Sequence, residues 1–344
     1  MAKRRMLVAV TGAALALAAA GCGGSDDEGG STTPSEAVRV ALVADKGQLN
    51  DKGFNELAFR GLERAERELG VEGRVVEAAS VADYIPSMAT LARDGYDLII
   101  GVGFAQGEAV AKTAKRFPDT KFAIVDVDQA GLPGKPTNVR GLLFREEQVG
   151  YLVGVLAALE ARERGGKAVS AVGGFKEPPV DRFIAGYRAG VLATAPELAV
   201  YWGYSSDWDD QAKCKELALD HIARGAKVVF QVAGGCGLGA LSAAKEKQVW
   251  GIGVDADQSF LGPHVLTSAL KGVDAAVFLT IKAVQDGTFQ GGTNAVFGLD
   301  QEGVGLGTMS PDASDDAVEQ VEEVERKIAQ GEITDIPTSL ERRT

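Results

Sequence analysis

The sequence predicts an α/β protein with two parallel sheets, each flanked by helices. From Val38 onward, short β-branched runs alternate with amphipathic stretches of helical period, and this alternation is typical of parallel sheets covered on both faces. The 344 residues are 45% hydrophobic and 24% charged, which is ordinary globular composition and enough for two packed lobes. An internal similarity between segments 129 residues apart indicates that the two lobes are alike.

Before the first strand, the chain begins with a segment that predicts export. Three basic residues precede an apolar run that ends at Ala20, and this run is shorter than the ~20 residues that a membrane-spanning helix needs. We interpret residues 1–21 as a lipoprotein signal peptide and Cys22 as the lipidated first residue of the mature protein. The alternative is ordinary signal cleavage in which Cys22 plays no part.

Residues 22–37 are interpreted as the lipidated cysteine and a flexible tether, because they are rich in Gly, Ser, Thr and Asp. The formal net charge of −12 argues against a nucleic-acid-binding surface, which needs clustered Lys and Arg. No later segment has the length and the apolarity of a membrane span. We therefore expect the chain after residue 37 to be soluble and extracytoplasmic, anchored to the cell membrane by its N-terminal lipid.

The strands and helices follow in alternation along the chain. Buried strands are predicted from β-branched apolar runs at residues 38–43, 98–102, 122–125, 168–172, 228–232 and 250–254. Helices are predicted from apolar positions at helical spacing, at residues 54–69, 81–93, 108–116, 146–164, 182–192, 211–223, 238–247 and 273–286. Residues 311–344 are predicted to form an acidic helix and a loose end, to which no function is assigned.

The internal similarity divides the chain into two lobes. Residues 122–129 match residues 251–258, and Phe54 matches Phe183. Each matched segment of the first pair is a strand that runs into an acidic loop. We interpret the match as two related lobes whose strands face one crevice, and the alternative is coincidence between two α/β units.

The predicted lobe boundaries follow from this match. The N-terminal lobe is expected to contain residues 38–164 and about 270–290. The C-terminal lobe is expected to contain residues 165–269 and about 291–335. Strands that cross between the lobes would form a hinge.

The predicted ligand site lies where the strands end, because ligands of open α/β sheets bind beyond the carboxyl ends of the strands. These ends surround one crevice with Asp45, residues 101–104, Asp126, residues 234–237 and Asp255. The two glycine-rich loops are interpreted as places of close backbone approach to a ligand, and Phe104 and Gly235 within them are candidate binding residues. A dinucleotide-binding fingerprint is the weaker interpretation of the second loop, because it occurs late in the chain. Asp51 is predicted to cap the helix that follows it.

Motifs for catalysis, metal binding or a cofactor are nearly absent from the sequence. The two histidines, His221 and His264, have no neighbouring Cys or Ser motif. Zinc-ligand spacing, a phosphate-binding loop and a nucleophile elbow are all missing. We therefore expect no metal, no cofactor and no enzymatic activity, and a carboxylate-dependent hydrolase is the enzymatic alternative.

Cys214 and Cys236 are predicted to form a disulfide. Cys214 lies in the first turns of a predicted helix, and Cys236 lies just beyond the end of the next strand. In an α/β unit both points lie at the same edge of the sheet, and such a pair can oxidise outside the cytoplasm. The alternative is a pair of small buried thiols.

The residues after the first strand resemble the opening signature of a known family. The run from Asp45 to Asn55 reads Asp-x-Gly-x-x-Asn-Asp-Lys-Gly-Phe-Asn, which is similar to the basic membrane protein family. The members of this family are substrate-binding lipoproteins of ABC importers, and the best understood resemble purine nucleoside receptors. Further similar stretches cover essentially the whole chain after the tether, at residues 124–126, 208–210, 234–237, 253–258 and 267–271.

The resemblance implies a type I periplasmic-binding-protein-like fold, a nucleoside ligand and an ABC permease as partner. It also implies roles for single residues. Phe54 and Trp208, the latter in place of the more usual Phe, would sandwich the base. The alternative for Phe54 is a structural role, as part of the buried apolar face of its helix.

The polar positions of the family are carried over in the same way. Asp45, Asn55 and Asp126 match positions that hydrogen-bond the base or the ribose. Asp255 and Lys271 match positions that hold ribose hydroxyls, and a carboxylate can accept from two vicinal hydroxyls. Lys271 would also keep several buried acids from repelling one another; its alternative is an ordinary exposed lysine at a helix start.

Three other functions remain open. A sugar or autoinducer receptor would share the fold, the aromatic residues and the paired acids. The ligand domain of a transcription regulator has the same architecture, but the export signal and the lack of a basic helix-turn-helix argue against it. An exported hydrolase is the third alternative.

Overall fold

The computed structural model describes residues 37–45 and 49–340. The predicted signal peptide at 1–21, the predicted lipidation site Cys22 and all of the predicted tether before residue 37 lie outside the described residues. Within them the chain forms two six-stranded sheets with helices on their faces. The predicted α/β class is confirmed.

The elements alternate as the sequence predicts. The strands are β1 (Arg39–Ala44), β2 (Glu72–Glu77), β3 (Leu98–Gly101), β4 (Lys121–Val125), β5 (Val139–Phe144), β6 (Ala168–Gly173), β7 (Ala199–Tyr204), β8 (Ala226–Val232), β9 (Trp250–Asp255), β10 (Val265–Lys271), β11 (Thr293–Phe297) and β12 (Val304–Leu306). The helices are α1 (Phe54–Leu69), α2 (Tyr84–Arg93), α3 (Gly107–Arg116), α4 (Glu146–Glu163), α5 (Pro178–Thr194), α6 (Gln211–Ala223), α7 (Gly234–Glu246), α8 (Val273–Gln285) and α9 (Asp315–Ala329).

The first sheet has the strand order β11-β5-β4-β3-β1-β2, and all its strands are parallel. Its central strands are fully buried because helices cover both faces, which is why they are continuous apolar runs. Helix α1 packs its apolar face on β1 and β2. The carboxyl ends of the strands therefore share one edge of the lobe.

The second sheet repeats this arrangement. Its strand order is β12-β10-β9-β8-β6-β7, and only β12 runs antiparallel. Helices α6 and α7 pack together on one face. Helices α4 and α5 pack on the other face in a continuous apolar cluster that also includes α1, α8 and the inner face of the first sheet.

The chain crosses between the sheets three times, and these crossings differ from the predicted lobe boundaries. Helix α4, expected in the N-terminal lobe, packs instead on α5, α9 and the second sheet. Its apolar residues surround it on several sides, so periodicity does not show which sheet it covers. Strand β11, expected in the C-terminal lobe, pairs with β5 in the first sheet. The last crossing therefore occurs between β11 and β12 rather than near residue 290.

Candidate ligand-binding site

The two sheets direct the carboxyl ends of their strands at one cavity. Residues of both lobes line this cavity, which is the usual position of a small-molecule site in such folds. All the residues predicted to contact a ligand line it, namely Asp45, Phe54, Asn55, Phe104, Asp126, Trp208, Gly235, Asp255 and Lys271. The sequence prediction thus identifies residues that the fold brings together from both lobes.

Asp45 and Asn55 form a polar corner on the wall of the first lobe. The Asp45 carboxylate accepts a hydrogen bond from the Tyr84 hydroxyl at 2.7 Å. The Asp45 backbone N–H donates to Asn55 Oδ1 at 3.1 Å. Because that partner is a donor, the amide of Asn55 has only one orientation, and its Nδ2 is left as a donor group. Asn55 therefore has its Nδ2 donor group at this corner of the cavity, beside the Asp45 carboxylate.

Gly103 allows this corner to form. Its φ of 101° lies in the region that favours glycine, and a Cβ atom at this position would lie 2.2 Å from Asp45 Oδ2. The neighbouring Phe104 is partly exposed on the same wall. The predicted close-approach loop of the first lobe thus approaches Asp45.

Asp51 caps helix α1, as predicted. Its carboxylate accepts the backbone N–H groups of Gly53, Asn55 and Glu56 at 2.9, 3.0 and 3.2 Å. Burial raises the pKa of Asp51, and these hydrogen bonds oppose the rise. The capped turn fixes Phe54, which lines the cavity and also packs partly against the core.

A buried charge cluster adjoins the cavity, which two of its members, Lys271 and Asp126, line. Lys271 Nζ lies 2.7 Å from Asp126 Oδ1 and 3.0 Å from Glu146 Oε1, and Arg182 Nε lies 2.6 Å from Glu146 Oε2. Lys271 is only 2% exposed, so it is not a surface lysine. Burial by itself would lower the pKa of Lys271, but the carboxylates of Asp126, Glu146 and Asp255 raise it, so the ammonium stays charged.

Asp126 and Asp255 occupy equivalent places in the two lobes. Asp126 directly follows β4, and Asp255 is the last residue of β9. Both have a left-handed backbone conformation, with φ of 70° for Asp126 and 63° for Asp255. This conformation is uncommon outside glycine, and Asp tolerates it better than most residues. Burial raises the pKa of Asp255 to about 7 against the attraction of Lys271, and repulsion by Asp126 adds to the rise. The matched segments of the sequence thus carry a matched pair of acids.

Trp208 lies on the wall of the second lobe. Its ring packs on that of Phe175 with centroids 5.3 Å apart, and a Cβ atom on Gly174 would lie 2.2 Å from Trp208 Cζ3. The Trp208 carbonyl accepts the Cys236 N–H at 2.7 Å. Glycine beneath the ring and the hydrogen bond behind it therefore hold the indole at the edge of the cavity.

Cys214 and Cys236 are joined by a disulfide in the structure, with Cα atoms 5.6 Å apart. The bond ties helix α6 to the first turn of α7. That turn contains Gly235, which lines the cavity. The disulfide and the Cys236–Trp208 hydrogen bond therefore connect the same short region of the second lobe.

Several residues of the cavity were not predicted. Phe183 lines it, and its match with Phe54 was a usable signal. Glu177 also lines it, and burial together with repulsion by Asp45 and Asp126 raises the pKa of Glu177 to about 7. Glu146 and Arg182 do not line the cavity but belong to the charge cluster beside it. No local sequence pattern marks them, because their contacts depend on how α4 and α5 pack together.

The described lining of the cavity is rich in acidic side chains. Among the residues that the structure describes, it contains Lys271 and six acids, namely Asp45, Asp51, Asp126, Glu177, Asp209 and Asp255. Neither histidine lines it. Across residues 37–45 and 49–340, no group of three or more side chains is arranged to hold a metal ion. In the same described part of the chain, no helix has both the length and the apolarity to cross a bilayer.

Comparison with known proteins places this site in a family. Residues 37–338 match the Bmp family model, described as ABC transporter substrate-binding protein PnrA-like. The ABC transporter nucleoside-binding protein BmpA of Lactococcus lactis is 31% identical over 355 residues, which cover 96% of this chain and 99% of BmpA. An uncharacterized lipoprotein of Pyrococcus horikoshii is 33% identical over 315 residues, 88% of this chain and 77% of the relative.

A solved structure supports the same assignment. The ABC transporter solute-binding protein from Aeropyrum pernix K1 superposes with a TM-score of 0.79 at 31% identity, over 87% of this chain and 94% of the other. The family and this neighbour are solute-binding proteins rather than enzymes. With its two lobes around one cavity, this chain belongs to the Bmp family of PnrA-like ABC transporter substrate-binding proteins, which take up a small-molecule ligand and deliver it to a permease.

Proposed function

We propose that the ligand is an unphosphorylated nucleoside, bound between the two lobes. The observation that carries the proposal is the placement of Phe54 and Trp208 on different lobes of one cavity whose remaining lining is rich in carboxylates. Stacking of a base on an aromatic ring contributes about 1–3 kcal/mol. Two rings from two lobes would therefore link base binding to closure of the lobes.

The acids of the cavity suit a ribose. Asp255 and Asp126 flank Lys271, and carboxylates accept strongly from hydroxyl groups. Lys271 Nζ can donate to a ribose oxygen while it stays paired with Asp126. Asn55 and Asp45 would serve the remaining donors and acceptors of the ligand.

The same charges disfavour a phosphorylated ligand. Among the described residues, six acids and Lys271 line the cavity; Asp255 and Glu177, with a pKa of about 7, are ionised in part at neutral pH. A phosphate would raise the pKa of these two acids further, because like charges at close range repel where water is scarce. A nucleotide would bring further negative charge to this surface. The proposal is therefore restricted to nucleosides, and the name of the Lactococcus lactis relative, a nucleoside-binding protein, agrees with it.

We also propose that the protein is an extracytoplasmic lipoprotein, attached to the membrane through Cys22. The support is the signal-like segment at 1–21 and the lipoprotein name of the Pyrococcus horikoshii relative. Mass spectrometry of the mature N-terminus tests this proposal. A diacylated N-terminal cysteine is expected, and a free N-terminus at another residue would contradict it.

Isothermal titration tests the ligand. The titrants are inosine, guanosine, adenosine, cytidine, ribose and guanosine 5′-monophosphate. We expect at least one purine nucleoside to bind. Guanosine 5′-monophosphate is expected to bind at least about 10-fold more weakly than guanosine, which corresponds to ~1.4 kcal/mol or more. Binding of ribose without binding of any nucleoside would indicate a sugar receptor and overturn the proposal.

A further inference from the structure

Gln258 belongs to the second lobe, but its side chain reaches the first. It follows β9 and is 1% exposed. Its Nε2 donates to the backbone carbonyl oxygen of Lys52 at 3.2 Å. On its own lobe, its backbone N–H donates to Ser268 Oγ at 3.0 Å. The residue is thus held firmly by the second lobe while it bonds across the gap.

The same side chain continues into a chain of amide hydrogen bonds. Gln258 Oε1 accepts from Gln231 Nε2 at 2.9 Å, and Gln231 Oε1 accepts from the backbone N–H of Ala233 at 3.0 Å. The backbone N–H of Ala233 can only donate a hydrogen bond, and the backbone carbonyl of Lys52 can only accept one. The orientation of both glutamine amides is therefore fixed from the two ends.

Both ends of this chain of hydrogen bonds lie at walls of the cavity. Ala233 directly precedes Gly234 and Gly235, which line it in the second lobe. Lys52 precedes the turn that carries Phe54 and Asn55 in the first lobe. The bonds therefore connect the two walls that the ligand would contact, without contacting the ligand themselves.

Lys52 presents its carbonyl to Gln258 from an unusual backbone conformation. Its φ is 58°, in the left-handed region that is unfavourable for a residue other than glycine and so has an energetic cost. The cross-lobe hydrogen bond offsets part of that cost when the lobes are together. Separation of the lobes would expose the Gln258 amide and the Lys52 carbonyl to water.

The first lobe supplies a matched comparison. Gln129 stands 129 residues before Gln258, at the equivalent place after β4. It is also buried, but its Nε2 donates to the Pro136 carbonyl at 2.9 Å, within its own lobe. Of this related pair, only Gln258 makes a hydrogen bond between lobes.

We propose that Gln258 is a positioning residue for ligand capture: it latches the second lobe to the turn that carries Phe54 and Asn55, and so slows ligand release. The proposal rests on the proposed function in that it needs a small molecule in the cavity. The latch does not depend on which small molecule binds.

The test compares Gln258→Glu with Gln129→Glu in the full chain at pH 8. Glutamate at 258 keeps an oxygen for Gln231 but loses the donor for Lys52. We expect the dissociation rate of the tightest-binding nucleoside, followed by stopped-flow tryptophan fluorescence, to rise about 10-fold, because the variant lacks the amide donor that bonds the Lys52 carbonyl across the lobes. Gln129→Glu is expected to lower Tm but to change that rate less than twofold.

Hydrogen exchange of the ligand-free protein supplies a second readout that needs no nucleoside. Gln258→Glu is expected to speed exchange several-fold at residues 52–57, whereas Gln129→Glu is expected to act near residue 139. Unchanged exchange at 52–57 would overturn the latch, as would equal dissociation rates in the two variants. If no nucleoside binds the wild type while exchange changes as expected, the proposed ligand fails and the latch stands.

Discussion

Lys271 and Asp126 form an ion pair between the two sheets, with Lys271 Nζ 2.7 and 2.8 Å from the two carboxylate oxygens of Asp126. Asp126 follows β4 of the first sheet, and Lys271 ends β10 of the second. Both side chains are buried, so the desolvation of the two charges offsets much of their attraction. Glu146, the first residue of α4, is the second carboxylate that pairs with Lys271.

Removal of the ammonium is expected to destabilise the protein strongly. In Lys271→Met, Asp126 and Glu146 lose their shared partner in a buried position, and breaking a buried pair in this way costs about 3–5 kcal/mol. Urea unfolding monitored by circular dichroism measures the change. Lys282→Met is the control, because Lys282 pairs with Asp286 on the surface and such pairs contribute at most ~1 kcal/mol. Equal effects of the two substitutions would argue against the charge cluster.

Trp208 is expected to contribute directly to ligand affinity. Trp208→Ala should weaken nucleoside binding by about 1–3 kcal/mol, whereas Trp208→Phe should retain most of the affinity because it keeps an aromatic face. Calorimetric titration of each variant checks this. Trp202→Ala is the matched control, since Trp202 is an exposed residue of β7 outside the cavity. An unchanged affinity in Trp208→Ala, or an equal loss of affinity in Trp208→Ala and Trp202→Ala, would contradict the placement of the base.

The stability of the ligand-free protein is expected to fall as pH rises from about 5 to 8. Burial raises the pKa of both Asp255 and Glu177 to about 7, above the ~4 of an unfolded chain. The folded state therefore binds more protons than the unfolded state between these values, and the stability from this source is lost as pH rises through the folded pKa.

Thermal unfolding across this pH range, in the absence of ligand, measures the slope. Glu177→Gln should flatten it without altering the contribution of Asp255. Glu197→Gln, a substitution of an exposed acid that pairs with Arg162 on the surface, should leave it unchanged. A stability that rises between pH 5 and 8 in the wild type, or a slope unaffected by Glu177→Gln, would contradict the raised pKa values.

The disulfide is expected to support the Trp208 wall. The bond spans 22 residues, and a loop of this size contributes about 3 kcal/mol in the chain-entropy description. Thiol titration of the native protein should find Cys214 and Cys236 unreactive, with a gain of two thiols on reduction. Reduction should also weaken nucleoside binding, because Cys236 donates to the Trp208 carbonyl. Two thiols that alkylate readily without reductant would rule the bond out.

The sequence predicts the central elements of the fold better than its edges. Each strand that it identifies has a neighbouring strand on both sides and helices on both faces of its sheet. Such strands are buried and therefore form continuous apolar runs. The outer strands β2, β7, β11 and β12 were missed, since their half-exposed residues break that pattern. The interior strands β5 and β10 were missed as well, because polar residues and glycine interrupt their apolar runs. Helix α5 was placed four residues late, because Pro178 and Pro179 look like a break but occupy the first turn, where proline is tolerated.

The same distinction applies to the site. Asp126 and Asp255 were identified because strand ends and the internal match mark their positions in the sequence. Glu146, Arg182 and Glu177 depend on how the crossings and the start of α5 are arranged in space, and no local pattern records this. The partner that Gln258 bonds across the lobes is hidden for the same reason.

The central claim is that residues from both lobes hold one nucleoside, and a crystal structure of the protein with the tightest-binding purine nucleoside tests it most directly. We expect the base between Phe54 and Trp208 and the ribose hydroxyls within hydrogen-bonding distance of Asp255 and Lys271. A nucleoside bound outside this cavity, or a base that contacts neither aromatic ring, would contradict the claim.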